Sequence, residues 1–122
     1  MTAYGPYTPI VSANNMLFIS GQIGIDPKTN HVGQTVTEQT KQVLKNMETL
    51  LANEGAGLGD VVKTTVFLTD MSTFQEMNAV YENTFPAPRP ARSTVGVKEL
   101  PRLGDTPLLV EIEAIARKKE VA

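Results

Sequence analysis

Two charged residues near the C-terminal end stand where charge is costly: Arg92 in ARSTVGV and Glu111 in LLVEIEAIA, runs with the β-branched, alternating character of strands. An ion desolvated without a partner is strongly disfavoured, so each must be paired or used. A guanidinium stays protonated at any working pH and its planar fork matches a carboxylate. Arg92, on a strand with a backbone N–H nearby, can therefore anchor a small carboxylic acid. A half-buried Glu111 can act as general base or orient a water, because partial desolvation raises a carboxyl pKa towards the working range. Structural roles remain open beside these. Arg92 can bridge to Glu99, Glu111 or Glu113, and Glu111 can pair with Arg92 or Arg102; Glu113, two residues on, has the same alternatives. Tyr7, stiffened by Pro6, can donate its phenol proton to a water or simply anchor the chain. Ser20, beside the flexible Gly21, and Asn78, the polar exception on an apolar helical stripe, can line a site or be satisfied locally.

The composition narrows the chemistry further. A chain of 122 residues is one domain with a single core and little area for a deep pocket of its own, so association with other copies is expected. The net charge of −2 gives no drive towards nucleic acid or anionic membrane, and Arg117, Lys118 and Lys119 read as a solvated strand end. No cysteine is present and His31 is the single histidine, beside turn residues, so neither a thiolate nucleophile nor a zinc cluster can be built. No basic segment followed by an apolar stretch opens the chain, and no apolar run reaches membrane-spanning length; the expectation is a soluble cytoplasmic protein.

The elements that must position these residues follow in order. Thr8 to Ala13 and Met16 to Ser20 flank Asn14-Asn15 and predict a hairpin, followed by Gly21 to Gly24 as a loop or bulge allowing close backbone approach. Val36, Val43, Leu44, Met47, Leu50 and Leu51 mark a helix with Thr35 and Glu38 as a capping box and Gly55 as its end. Val61 to Leu68 is a strand with Thr64, Val66 and Leu68 on one face. A second helix opens at Asp70 to Ser72, capped by Ser72 and Gln75, with Phe74, Met77, Asn78, Tyr81 and Phe85 on one stripe; Tyr81 and Phe85 are expected in the core. Pro86, Pro88 and Pro90 then force extended backbone to Arg92. The order β, β, α, β, α, β, β is α+β, a mixed sheet with both helices on one face. The other face is expected to carry Arg92, Thr94, Glu111 and Glu113 beside Leu109 and Ile115, a mixture suited to cover by partner chains with clefts at the seams.

GPY (Gly5 to Tyr7), SGQI (Ser20 to Ile23), EQT (Glu38 to Thr40), VVKTTVFLTDM (Val61 to Met71), MNAVYENTF (Met77 to Phe85), PARSTV (Pro90 to Val95) and VEIEAIA (Val110 to Ala116) occur in this order, and together the chain resembles the RidA/YjgF family over nearly its whole length. The resemblance implies a single chorismate-mutase-like domain over residues 1–122 and a homotrimer whose sheets form an inner barrel, with sites in the clefts between subunits. It implies hydrolysis of 2-enamino or 2-imino acids such as 2-aminoacrylate to 2-keto acids and ammonia, without a cofactor. In this reading Arg92 and the Thr94 backbone hold the substrate carboxylate, Glu111 activates water, Tyr7 helps hold it, and Ser20, Gly21 and Asn78 line the site. Three departures stand out: Thr94 where many members have cysteine, a longer Pro101–Leu109 connection that could reshape the site mouth, and few residues before GPY. The rival reading is a non-catalytic trimeric module that binds small keto acids or chaperones other proteins. RNA cleavage, also reported for the family, is disfavoured by the acidic balance and the absence of a basic aromatic groove.

Overall fold

The computed structural model describes residues 4–119. The chain runs β1 (Ile10–Ala13), β2 (Met16–Ile23), α1 (Val36–Asn53), β3 (Val61–Leu68), α2 (Phe74–Thr84), β4 (Ala91–Gly96) and β5 (Val110–Arg117), with short 3-10 turns before β3 and before α2. The strands form one sheet in the order β1-β2-β5-β3-β4. Only β3 and β4 pair in parallel, joined by α2 as crossover; the other neighbours are antiparallel. No helix among the described residues is long and apolar enough to cross a membrane.

Local chemistry accounts for most boundaries. Asn14 and Asn15 both take positive φ, 50° and 63°, the left-handed pair that matches the twist of a two-residue hairpin. β1 begins at Ile10, later than Thr8, because Pro9 has no N–H to give to the ladder. Thr35 accepts the Glu38 N–H at 3.1 Å to start α1, while the Glu38 carboxylate reaches past the cap to the Gln34 N–H at 3.2 Å. Gly55, at φ 72°, ends α1; its N–H and that of Ala56 return to Ala52 and Leu51. The entry to α2 differs from the Ser72 and Gln75 pairing expected from sequence. Asp70 caps the 3-10 turn Met71–Thr73, accepting the Ser72 N–H at 2.9 Å, and α2 follows from Phe74 with Thr73 at its N-cap and no side-chain cap hydrogen bond.

Both helices cover one face of the sheet. The α1 stripe expected from periodicity is buried against Leu17, Ile19, Val66, Val110, Ile112 and Ala114, with Tyr81 and Phe85 of α2 in the same core. The other face is open: Val11, Phe18 and Val95 are 47%, 44% and 41% exposed, on the same side as Phe67, Glu113 and Ile115. That much agrees with the mixed face expected from sequence, except that Leu109, which precedes β5, packs against the main core.

Arg92 and Thr94 do not lie on it. The parallel register sets Arg92 beside Thr64 and Thr94 beside Val66, and both partners face the helices. The alternation within each strand is as read; its phase relative to the neighbouring strands is fixed by pairing. Glu111, paired with Phe67, points to the open side, so the guanidinium and the carboxylate of one chain occupy opposite faces.

Candidate active site

The Glu111 side is shaped by a bulge in β2. Ile19 pairs with Ala114 and Gln22 with Ile112, leaving Ser20 and Gly21 opposite a single residue of β5. The extra residue turns both Ser20 and Gly21, and then Ile23, to the open face. A Cβ on Gly21 would collide with the Glu111 carboxylate, with Cδ only 2.7 Å away, so the absent side chain is what lets this carboxylate lie over the backbone. Burial is the first cause that raises the Glu111 pKa, and repulsion from Glu113 is the second. The Ser20 hydroxyl donates to Thr8 O at 2.7 Å, and the Tyr7 hydroxyl accepts the Tyr4 N–H at 3.3 Å, which leaves the Tyr7 proton free to donate. Tyr7, Ser20, Gly21 and Glu111 line one cleft of about 320 Å³ together with Tyr4, Ile23, Pro101 and Leu103. The long connection therefore does reach the mouth of this cleft.

The Arg92 side is built by α2 and the edge strand β4. The guanidinium carbon lies 4.8 Å from the centre of the Tyr81 ring and 5.6 Å from that of Phe74. Tyr81 is itself locked by a 2.7 Å hydrogen bond with the Thr64 hydroxyl, and burial pushes its phenol pKa up. None of the carboxylates expected as structural partners reaches Arg92. The ion pair found among the described residues joins Lys119 to Asp60, at 3.9 Å. Beside Arg92, Asn78 Oδ1 and Thr94 Oγ1 are buried without a hydrogen-bond partner. An orphaned polar atom of this kind carries a desolvation cost of about 1–3 kcal/mol, which a ligand can relieve. Asn78 is thus not the locally satisfied side chain that sequence alone allowed. Val97 N–H donates to Leu68 O at 2.8 Å, so by the alternation along a strand the Thr94 amide turns to the free edge of the sheet. Arg92, Asn78 and Tyr81 line a second cleft of about 390 Å³ with Gln75, Glu82, Arg89 and Pro90.

The structure thus gathers the sequence-derived residues in two groups: Tyr7, Ser20, Gly21 and Glu111 in one, Arg92, Thr94 and Asn78 in the other. Two positioning residues escaped sequence reasoning. Gln39 is fully buried, donating to Gly33 O and Pro107 O at 2.9 Å each and accepting the Leu109 N–H at 2.7 Å, which pins the start of β5 to α1. Asn46 donates to Ile23 O and Ile25 O, holding the strand end beside the first cleft. The available signal was their place on the apolar stripe of α1, where a polar residue must find buried partners.

Five mixed strands under two helices, with a bulged SGQ segment and an arginine on the edge strand, define a small α+β domain of the RidA/YjgF kind. The chain belongs to this family, described as endoribonuclease L-PSP, whose model matches residues 1–118. It is 47% identical to a RutC family protein of Pyrococcus horikoshii over 116 residues, covering 94% of this chain and 89% of that protein. It is 42% identical to the 2-iminobutanoate/2-iminopropanoate deaminase of Salmonella typhimurium over 120 residues, covering 96% of this chain and 91% of that protein. The crystal structure of the YjgF gene product of Escherichia coli superposes with a TM-score of 0.87 at 42% identity, covering 96% of this chain and 91% of that one.

Proposed function

We propose that the chain hydrolyses 2-imino acids, and the enamines that tautomerise to them, to 2-keto acids and ammonia, at sites made by two copies of a homotrimer. The observation that carries this reading is an arginine stacked on aromatic rings in an open cleft, without a carboxylate partner among the described residues and with the orphaned Asn78 oxygen beside it. A charge so held is prepared for an anionic ligand. Relatives named 2-iminobutanoate/2-iminopropanoate deaminase supply the matching substrate class.

Arg92 and the Thr94 amide hold the substrate carboxylate, and Asn78 faces the substrate nitrogen. A water held by Glu111 and Tyr7 of the neighbouring copy gives a proton to the carboxylate as its oxygen bonds to C2. Glu111 passes that proton to the imine nitrogen as the C=N π bond opens, giving a carbinolamine. Glu111 then takes the carbinolamine hydroxyl proton as the C=O bond forms and delivers it to the nitrogen as the C–N bond breaks and ammonia leaves. Positioning and one acid-base group, worth roughly 10²–10⁴-fold, suffice for a reaction that also proceeds unaided. The raised Glu111 pKa suits a group that must both take and return a proton. Exposed Val11, Phe18 and Val95 give the open face an apolar surface for the neighbouring copy.

Subunit complementation tests this assignment. Arg92→Ala and Glu111→Gln chains should each lose keto-acid release from 2-aminoacrylate made in situ, while chains assembled together regain it. Roughly a quarter of interfaces are complete after random mixing. Full activity of Arg92→Ala alone would remove the arginine from the mechanism. Mixed oligomers that form but stay inactive would rule out a site shared between copies.

A further inference from the structure

We propose that Gln22 is a positioning residue for Glu111: its side-chain amide supplies the hydrogen-bond donor that Pro9 cannot give, and so holds the Ser20–Gly21 bulge over the carboxylate. This rests on the deaminase reading and names what keeps one half of that site in shape. The need for such a donor begins at the hairpin. Ala13 pairs with Met16 across the two-residue turn, and pairs that exchange both backbone hydrogen bonds recur at every second position from there, at Val11 with Phe18 and then at Pro9 with Ser20. The Ser20 N–H does donate to Pro9 O, at 2.9 Å. The return bond to Ser20 O cannot form, because proline has no N–H.

Gln22 fills this gap. Its Nε2 donates to Ser20 O at 3.0 Å, from a side chain only 5% exposed and paired with buried Ile112 on the helix side of the sheet. Ser20 is then held at three atoms, since its hydroxyl also donates to Thr8 O at 2.7 Å. The Ser20 carbonyl belongs to the planar peptide group that leads into Gly21, so fixing the oxygen fixes the approach of the bare glycine to Glu111. The ladder to β5 is interrupted here, between the Ile19–Ala114 and Gln22–Ile112 pairs. A side chain must therefore do what the strands on either side do not. Without it Ser20 O loses its donor, and the bulge can relax to find another.

The experiment compares Gln22→Leu, Pro9→Ala and the double variant as intact oligomers. Leucine keeps an apolar fit beside Ile112 and removes the donor, whereas alanine at position 9 restores a backbone N–H aimed at Ser20 O. Gln22→Leu is expected to lower kcat for 2-aminoacrylate made in situ by about 10-fold with KM near wild type, because the base is displaced while the carboxylate anchor is untouched. Pro9→Ala alone should match wild type, and added to Gln22→Leu it should return most of the lost kcat. An unchanged kcat in Gln22→Leu overturns the inference, and so does a loss that Pro9→Ala fails to restore. NMR titration of the isotopically labelled Glu111 carboxyl gives a readout independent of turnover. Its pKa should fall towards the ordinary glutamate value in Gln22→Leu and rise again in the double variant, with Glu113 and Tyr7 unaltered throughout. If the wild-type protein turns over no 2-aminoacrylate, the deaminase reading falls and this titration alone decides whether Gln22 holds the bulge; an unmoved pKa overturns it.

Discussion

The two clefts prepare charge in opposite ways. Around Arg92 the environment is aromatic and the charge itself is permanent; α2 supplies Phe74, Tyr81 and Met77 simply to hold the guanidinium in place. Around Glu111 the environment alters the charge, since burial and Glu113 both push the carboxyl towards its neutral form. In the proposed mechanism the first is a binding group, which needs fixed geometry, and the second an acid-base group, which needs a tuned pKa as well. The packed ring stack on one side and the bulge with a bare glycine over the carboxylate on the other suit those two roles.

Glu111→Gln should break the comparison most deeply. It is expected to cut turnover by roughly 10²–10⁴-fold while leaving keto-acid binding near wild type, because the anchor lies on the other face. The same substitution should stabilise the fold at neutral pH. The folded pKa of Glu111 lies above its unfolded value, so the unfolded chain releases the proton first, and stability falls as pH rises from the ordinary glutamate range through the raised pKa. Melting temperatures of both proteins from acidic to neutral pH, converging at the acidic end, would bear this out; a variant less stable at neutral pH would contradict it.

Gly21→Ala tests whether the bulge positions the carboxylate or merely tolerates it. The added Cβ must displace Glu111, and a misplaced base is expected to cost roughly 10- to 100-fold in kcat with little effect on KM. An unchanged kcat would mean that the carboxylate has freedom to spare.

The smallest effect is expected from Glu113→Gln. Removing the second cause of the Glu111 shift should move the acid limb of the kcat/KM profile to lower pH by a fraction of a unit, since burial, the larger cause, remains. A limb that stays in place would assign the whole shift to burial.

Much of the scaffold was legible in the sequence because it is written in short-range chemistry. The left-handed Asn14-Asn15 pair, the Thr35 cap, the Gly55 stop and the α1 stripe each depend on residues within a turn or two of one another. The Asp70 cap was missed because a 3-10 turn intervenes and moves the start of α2 on to Phe74. Gln39 was missed because its partners Pro107 and Leu109 lie far along the chain.

For the candidate site the division is sharper. The sequence by itself determined which side chains alternate along β4 and β5, that Arg92 and Glu111 demand an explanation, and that Gly21 permits close approach. Only the tertiary structure decided that Arg92 faces the helices while Glu111 faces away from them. Side-chain period is a property of one strand, but its phase across a sheet follows from register, and register is set by which neighbouring strands pair and by the bulge between them.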